Sequence, residues 1–144
     1  MVLDRDCNLD QGEEFLKVEQ VSLLMNSPAE ISTIRFYHAH VYYDVASRPT
    51  AERLRTEIEQ RFEVVLGRWR DEPVGPHPQP MYQVKFDPPE FARIVPWLML
   101  NRTGLTVLVH PDTGDAVADH AINPLWLGQK LDLRIDVLRQ LTGA

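Results

Sequence analysis

Apolar and polar positions change rhythm several times along this chain, and each change marks an element. Ile34 to Tyr43 is dense in β-branched and aromatic residues and reads as a strand. Leu54, Ile58 and Phe62 then recur every fourth residue, the stripe of a helix that Thr50 can cap behind Pro49 and Gly67 can close. Val65 to Arg70 reads as a second strand and leads into a Pro-rich loop, Pro73 to Pro80. Met81 to Phe86 alternates apolar and polar residues, a third strand. Asp87-Pro88-Pro89-Glu90 has the make-up of a helix start: Asp as cap, Pro in the first turn, Glu three residues on. Phe91, Ile94, Val95 and Leu98 form the buried face of that helix, Pro96 should kink it, and Gly104 ends it. Leu105 to Val109 is a fourth strand.

The order strand, helix, strand, strand, helix, strand is the ferredoxin-like βαββαβ plan, an α+β fold whose antiparallel sheet carries helices on one face. A C-terminal extension follows. It holds a turn at Pro111-Asp112-Thr113-Gly114, a short strand near Ala118 to Ile122, and the alternating segment Leu131 to Ile135. That last segment reads as an edge strand, or else a C-terminal helix runs through Leu138 and Leu141.

Charge divides the chain. Of its 144 residues, 15 are Lys or Arg and 21 Asp or Glu, a formal charge of −6. Residues 1–30 hold two of the basic and seven of the acidic groups and read as an acidic arm, in which residues 14–24 could form a short helix. Residues 31–144 are nearly neutral and read as the folded domain. A nucleic-acid role therefore has no electrostatic footprint. No apolar run reaches the roughly 18 residues of a membrane-crossing helix, and the start of the chain lacks the pattern of a secretory signal. The lone Cys7 cannot form an intrachain disulfide, which fits a reducing cytoplasmic setting.

All five histidines, His38, His40, His77, His110 and His120, lie in the near-neutral part. Side chains alternate along a strand, so Phe36, His38, His40 and Tyr42 share one face, and Tyr37, Ala39, Val41 and Tyr43 the other. In the fourth strand His110 shares a face with Thr106 and Leu108, whereas Leu105, Val107 and Val109 form an aliphatic set fit to pack under helices. The βαββαβ plan makes the first and fourth strands antiparallel neighbours, so His38, His40 and His110 should converge on the open face of the sheet. Two imidazoles at i, i+2 on a strand, with a third beside them, suit a metal ion. The alternative is that they are half-buried sheet residues hydrogen-bonded to neighbours. His77, in the stiff Gly75-Pro76-His77-Pro78 loop, is either a pre-positioned site residue or part of a surface linker. His120 is an acid/base candidate or a structural residue. Asp44 and Asp119 are rival carboxylate ligands, with capping or turn duty as the alternative. Arg35, Arg68 and Arg102 are candidates for a substrate carboxylate, and Trp69, Trp97 and Trp126 read as core or interface residues.

Ordered blocks run from about Phe36 to Leu133: His38-Ala39-His40-Val41-Tyr42-Tyr43-Asp44, Pro73 to Pro78, Trp97 to Arg102, Leu108 to Asp115, Asp119-His120 and Trp126-Leu127-Gly128. Together they resemble the DOPA 4,5-dioxygenase family. The resemblance implies a ferredoxin-like, often dimeric, cytoplasmic protein that uses non-haem Fe(II) and O2 to open a catechol, such as L-DOPA, beside its hydroxyls. On that reading His38, His40 and His110 hold the metal, with His77 or His120 as acid and base. Two rivals share the fold: a cofactor-free oxygenase and a non-catalytic binding module. An open face carrying Phe36 and Tyr42 is too apolar to leave wet, so a homodimer or the C-terminal segment should cover part of it.

Overall fold

A computed structural model describes residues 27–143, and all elements below lie in its unit Ser32–Ala144. The arm expected at 1–30, with its possible helix, lies outside the described residues except for its last four. Five strands form one antiparallel sheet in the order β2-β3-β1-β4-β5. They are β1 (Phe36–Tyr42), β2 (Val65–Leu66), β3 (Met81–Phe86), β4 (Val107–Asp112) and β5 (Leu125–Leu127). The first four keep the order and directions of the βαββαβ plan, and β5 from the extension pairs on the outer side of β4.

Helices α1 (Arg48–Arg61) and α2 (Phe91–Asn101) cover one face. Ala39 and Val41 from β1 and Tyr43 just after it, Tyr82, Val84 and Phe86 from β3, and Val107 and Val109 from β4 pack there against Ala51, Leu54, Ile58, Ile94, Val95 and Leu98. The division of β1 and β4 into a core face and an open face is the one the period-2 reading requires.

Several element ends differ from the sequence reading. Ser47, not Thr50, precedes α1. Its backbone N–H donates to Asp44 Oδ1 (2.8 Å), and the Asp44 N–H donates to Ser47 Oγ (2.9 Å), a reciprocal lock that places Pro49 in the first turn. The helix stops at Arg61, because Phe62 turns extended to lay its ring on the core. Gly67 is not its terminator. A Cβ there would stand 3.2 Å from Gln83 Cβ, so glycine lets the chain run close to β3. β2 is accordingly short, with one further bridge at Arg70 to Met81. Asp87 makes no side-chain cap; Pro88–Glu90 forms a single 3₁₀ turn ahead of α2.

The strand expected at Ala118 to Ile122 is a helix, α3 (Ala116–Ala121), started by Asp115, whose carboxylate accepts from the Ala118 N–H (3.1 Å). Three alanines at 116, 118 and 121 favour helix over strand once that cap is in place. The C-terminal alternatives resolve as helix α4 (Ile135–Thr142), and Leu131 to Leu133 lies outside the sheet without regular secondary structure. Leu131 and Leu133 instead lie over the open face, against Tyr42, Met81, Leu108 and Trp126. The C-terminal segment thus supplies one of the two covers expected for that face.

Candidate active site

His38 and His110 are direct partners in the β1–β4 ladder, and His40 lies two residues along the same face. Two further imidazoles reach the same place from outside the sheet. The loop before β3 brings in His77: its Pro76 carbonyl accepts from the Arg134 N–H (2.8 Å), which ties the loop to the covering C-terminal segment. Helix α3 brings in His120. The His40 ring centroid is 4.1 Å from that of His77, and the His110 centroid is 3.9 Å from that of His120. All five histidines therefore form one cluster, in which His40 and His110 are each 2% exposed and His77 5%.

Two overlapping sets present ligand atoms within 4.8 Å of one another: His38–His40–His110 and His40–His77–His120. His40 is common to both. The Nε2 atoms of His40 and His110 are 3.1 Å apart. Two imidazole nitrogens held at about 2.1 Å by one ion at right angles stand about 3.0 Å apart, so the pair has the spacing of neighbouring ligands. His110 Nδ1–H donates to the Pro111 carbonyl (2.8 Å), which leaves its Nε2 with a bare lone pair facing His40. His40 Nδ1 is buried with no hydrogen-bond partner. In the neutral pair His40 Nε2–H donates to His110 Nε2 and His40 Nδ1 is the unmatched atom; a cation between the two Nε2 atoms would take the place of that one hydrogen bond.

The other rings are oriented by oxygen atoms. His120 Nδ1–H donates to the Ala116 carbonyl (2.7 Å), and His77 Nδ1 bonds the Tyr42 hydroxyl (2.7 Å). In the tautomer that frees Nε2 of His77, Nδ1–H donates to the phenol oxygen. Burial lifts the Tyr42 hydroxyl well above its ordinary range, so it stays a phenol. Burial, helped by the neighbouring imidazoles, pushes His77 down from 6.5 to about 4 and His110 to about 3. His38 also falls to about 4, mainly by burial and against the pull of Asp112. His40 and His120 are lowered for the same first reason. The cluster is therefore neutral at physiological pH, the form in which imidazole binds a metal or accepts a proton.

The rival carboxylates are engaged elsewhere. Asp44 serves Ser47 at the start of α1. Asp119, 2% exposed, accepts from the Thr113 N–H (2.8 Å) and hydroxyl (2.6 Å), joining α3 to the end of β4. Arg35 pairs with Asp112, and Arg102 donates to the Met99 carbonyl (3.1 Å) at the end of α2. Trp69 and Trp97 pack against the core on the helix-covered side, while Trp126 stacks near Tyr42 beside the site. Sequence reading missed Tyr42 and Asp119 as supports. Tyr42 was within reach of it, because it shares a face with His40; the Asp119–Thr113 tie was not.

Residues 37–137 match the profile of the Dopa 4,5-dioxygenase family. The chain belongs to the Dopa 4,5-dioxygenase family. All five clustered histidines fall inside the matched span. Among curated proteins the chain is similar to an uncharacterised 21.2 kDa protein of Botryotinia fuckeliana, 32% identical over 120 residues, 73% of this chain and 64% of that protein. It is also similar to DOPA 4,5-dioxygenase of Amanita muscaria, 31% identical over 113 residues, 72% of this chain and 50% of that enzyme. The chain thus spans only one half to two thirds of these relatives. Among solved structures it resembles a candidate dioxygenase from Nostoc punctiforme, 59% identical with a TM-score of 0.79, over 79% of this chain and 99% of that one. Among the described residues no helix is long and apolar enough to cross a membrane.

Proposed function

We propose that this family member is an extradiol ring-cleaving dioxygenase that opens a catechol with non-haem Fe(II) and O2. The observation that carries the proposal is the convergence of five neutral imidazoles on one buried patch, with His40 and His110 at ligand spacing. His38, His40 and His110 hold the metal. Their strands are hydrogen-bonded neighbours in the middle of the sheet, the most rigid mount the fold offers. Bound Fe(II) supplies a redox-active cation with coordination positions left open for small molecules.

His77 and His120 are then the acid/base pair, His77 against His40 and His120 against His110. A neutral imidazole beside an incoming catechol takes its hydroxyl proton and returns it to the product, and a positioned group of this kind contributes about 10²–10⁴-fold. The Tyr42 hydroxyl fixes the His77 ring, and the Ala116 carbonyl fixes His120. Leu131, Leu133 and Trp126 keep bulk water off the inner side of the cluster. A homodimer is part of the proposal, supported by the exposed Ile122 and Leu125 at the β5 edge, and so is a cytoplasmic setting, supported by the single cysteine.

A second ligand set, His40–His77–His120, is favoured by one observation: two of its rings have Nδ1 tied to an oxygen, the usual mark of a metal-binding histidine. Metal content separates the two. Protein reconstituted anaerobically with Fe(II) is assayed for bound iron and for catechol-dependent O2 uptake. His40→Ala should lose stoichiometric iron under either set. His38→Ala should lose it and His120→Ala keep it if the first set is right, and the reverse outcome moves the metal to the second. Full iron and activity in a His38→Ala/His40→Ala double variant refutes the proposal.

A further inference from the structure

A cavity of about 240 Å³ opens beside the histidine cluster, and His77 belongs to both. Its floor is Met81 and Gln83 of β3, and Gln83 stands directly opposite His40 in the β1–β3 ladder. Its wall is the strand-like segment after Gly67, which contributes Arg68 and Arg70. Neither arginine makes an ion pair among the described residues. No carboxylate lines the cavity. Asp71, next in the chain, is held away by the Tyr43 hydroxyl (2.7 Å) and by Arg48 Nε (3.0 Å). Two free guanidinium groups with a carboxamide between them and the cluster form a receptor for a planar anion. The same lining offers nothing to balance a cation.

Resting on the dioxygenase reading above, we infer that this cavity binds the side-chain carboxylate of the substrate. It selects a catechol that carries a carboxylate and no ammonium group. The catechol ring then lies against His77, with its acidic tail between Arg68 and Arg70. Lys85, a further cation without an ion pair among the described residues, has its ammonium over the Phe36 ring (4.0 Å to the centroid) and does not line the cavity.

The test compares 3,4-dihydroxyphenylacetate, L-DOPA and dopamine on the full chain reconstituted with Fe(II). Binding is measured anaerobically by calorimetry, and turnover by O2 uptake. The acid should bind at least about tenfold more tightly than dopamine, with L-DOPA weaker than the acid. Arg68→Gln/Arg70→Gln should weaken acid binding about tenfold or more without weakening dopamine binding, since the repulsion on its ammonium is removed. Both side chains are solvent-exposed, and far-UV circular dichroism checks that the variant is folded. Equal affinity for acid and amine, or an acid preference that survives the double substitution, overturns the inference. So does a preference abolished by Lys85→Gln instead. Arginine-dependent acid binding without any ring opening would uphold the cavity while refuting the dioxygenase reading.

Discussion

Replacing Asp119 by asparagine should destabilise the protein by about 1–3 kcal/mol, although the two side chains have nearly the same shape. The carboxylate is 2% exposed, has no cationic partner among the described residues, and accepts two bonds from Thr113, one from the N–H and one from the hydroxyl. Hydrogen bonds to a charged acceptor contribute about 1.5–3 kcal/mol each, against about 0.5–1.5 kcal/mol for neutral ones. The carboxamide oxygen still accepts from the Thr113 N–H, and its NH2 donates to the Thr113 hydroxyl oxygen, which reverses that bond. Both bonds therefore survive without their charge, each weaker by about 1 kcal/mol. For a domain of this size the loss corresponds to a fall of roughly 10 °C in Tm. Because Thr113 follows β4 and Asp119 precedes His120, the same change should loosen His120 relative to His110. Urea unfolding gives the stability, and a cycle with Thr113→Val should show coupling, the double variant losing less than the sum of the singles. A stability loss under about 0.5 kcal/mol, or strict additivity in the cycle, would refute the assignment of Asp119 as the tie between helix and strand.

Gly67→Ala should cost about 1 kcal/mol or more, because the new methyl meets Gln83 Cβ at 3.2 Å and Gln83 O at 3.4 Å; equilibrium unfolding reads it directly. Leu131→Ala uncovers Tyr42 and Leu108 and should cost about 2–3 kcal/mol, with increased binding of a hydrophobic dye to the native protein as the second readout. Tyr42→Phe removes the partner of His77 Nδ1 and should lower kcat by about tenfold with bound iron unchanged, since it disturbs a positioned proton carrier. Chelation should abolish O2 uptake and Fe(II) restore it; activity that resists the chelator supports the cofactor-free alternative instead.

The histidine triad of the sheet was legible in advance because two local facts suffice for it. Alternation places His38 and His40 on one face, and the βαββαβ order sets β4 beside β1, so His110 follows. His77 and His120 were not legible in the same sense. Their types marked them as candidates, but nothing near them in the chain says that the proline loop folds back over the sheet or that residues 116–121 wind into a helix. Ala118 to Ile122 reads locally as a short strand, and only the Asp115 cap and packing on β4 decide otherwise. Gly67 illustrates the same limit, since glycine after an apolar stripe looks identical whether it ends a helix or admits a neighbouring strand.

What the sequence alone determined, then, is what short-range periodicity encodes: the strands and helices of the βαββαβ core and the two faces of β1 and β4. The tertiary structure decided which histidines share ligand distance, which oxygen atoms hold their rings, and which arginines remain unpaired beside them. Those depend on contacts between segments far apart in the chain, such as Arg134 with Pro76 across the open face. Such contacts form only once burial of the apolar faces has brought the elements together, so no local spacing can carry them.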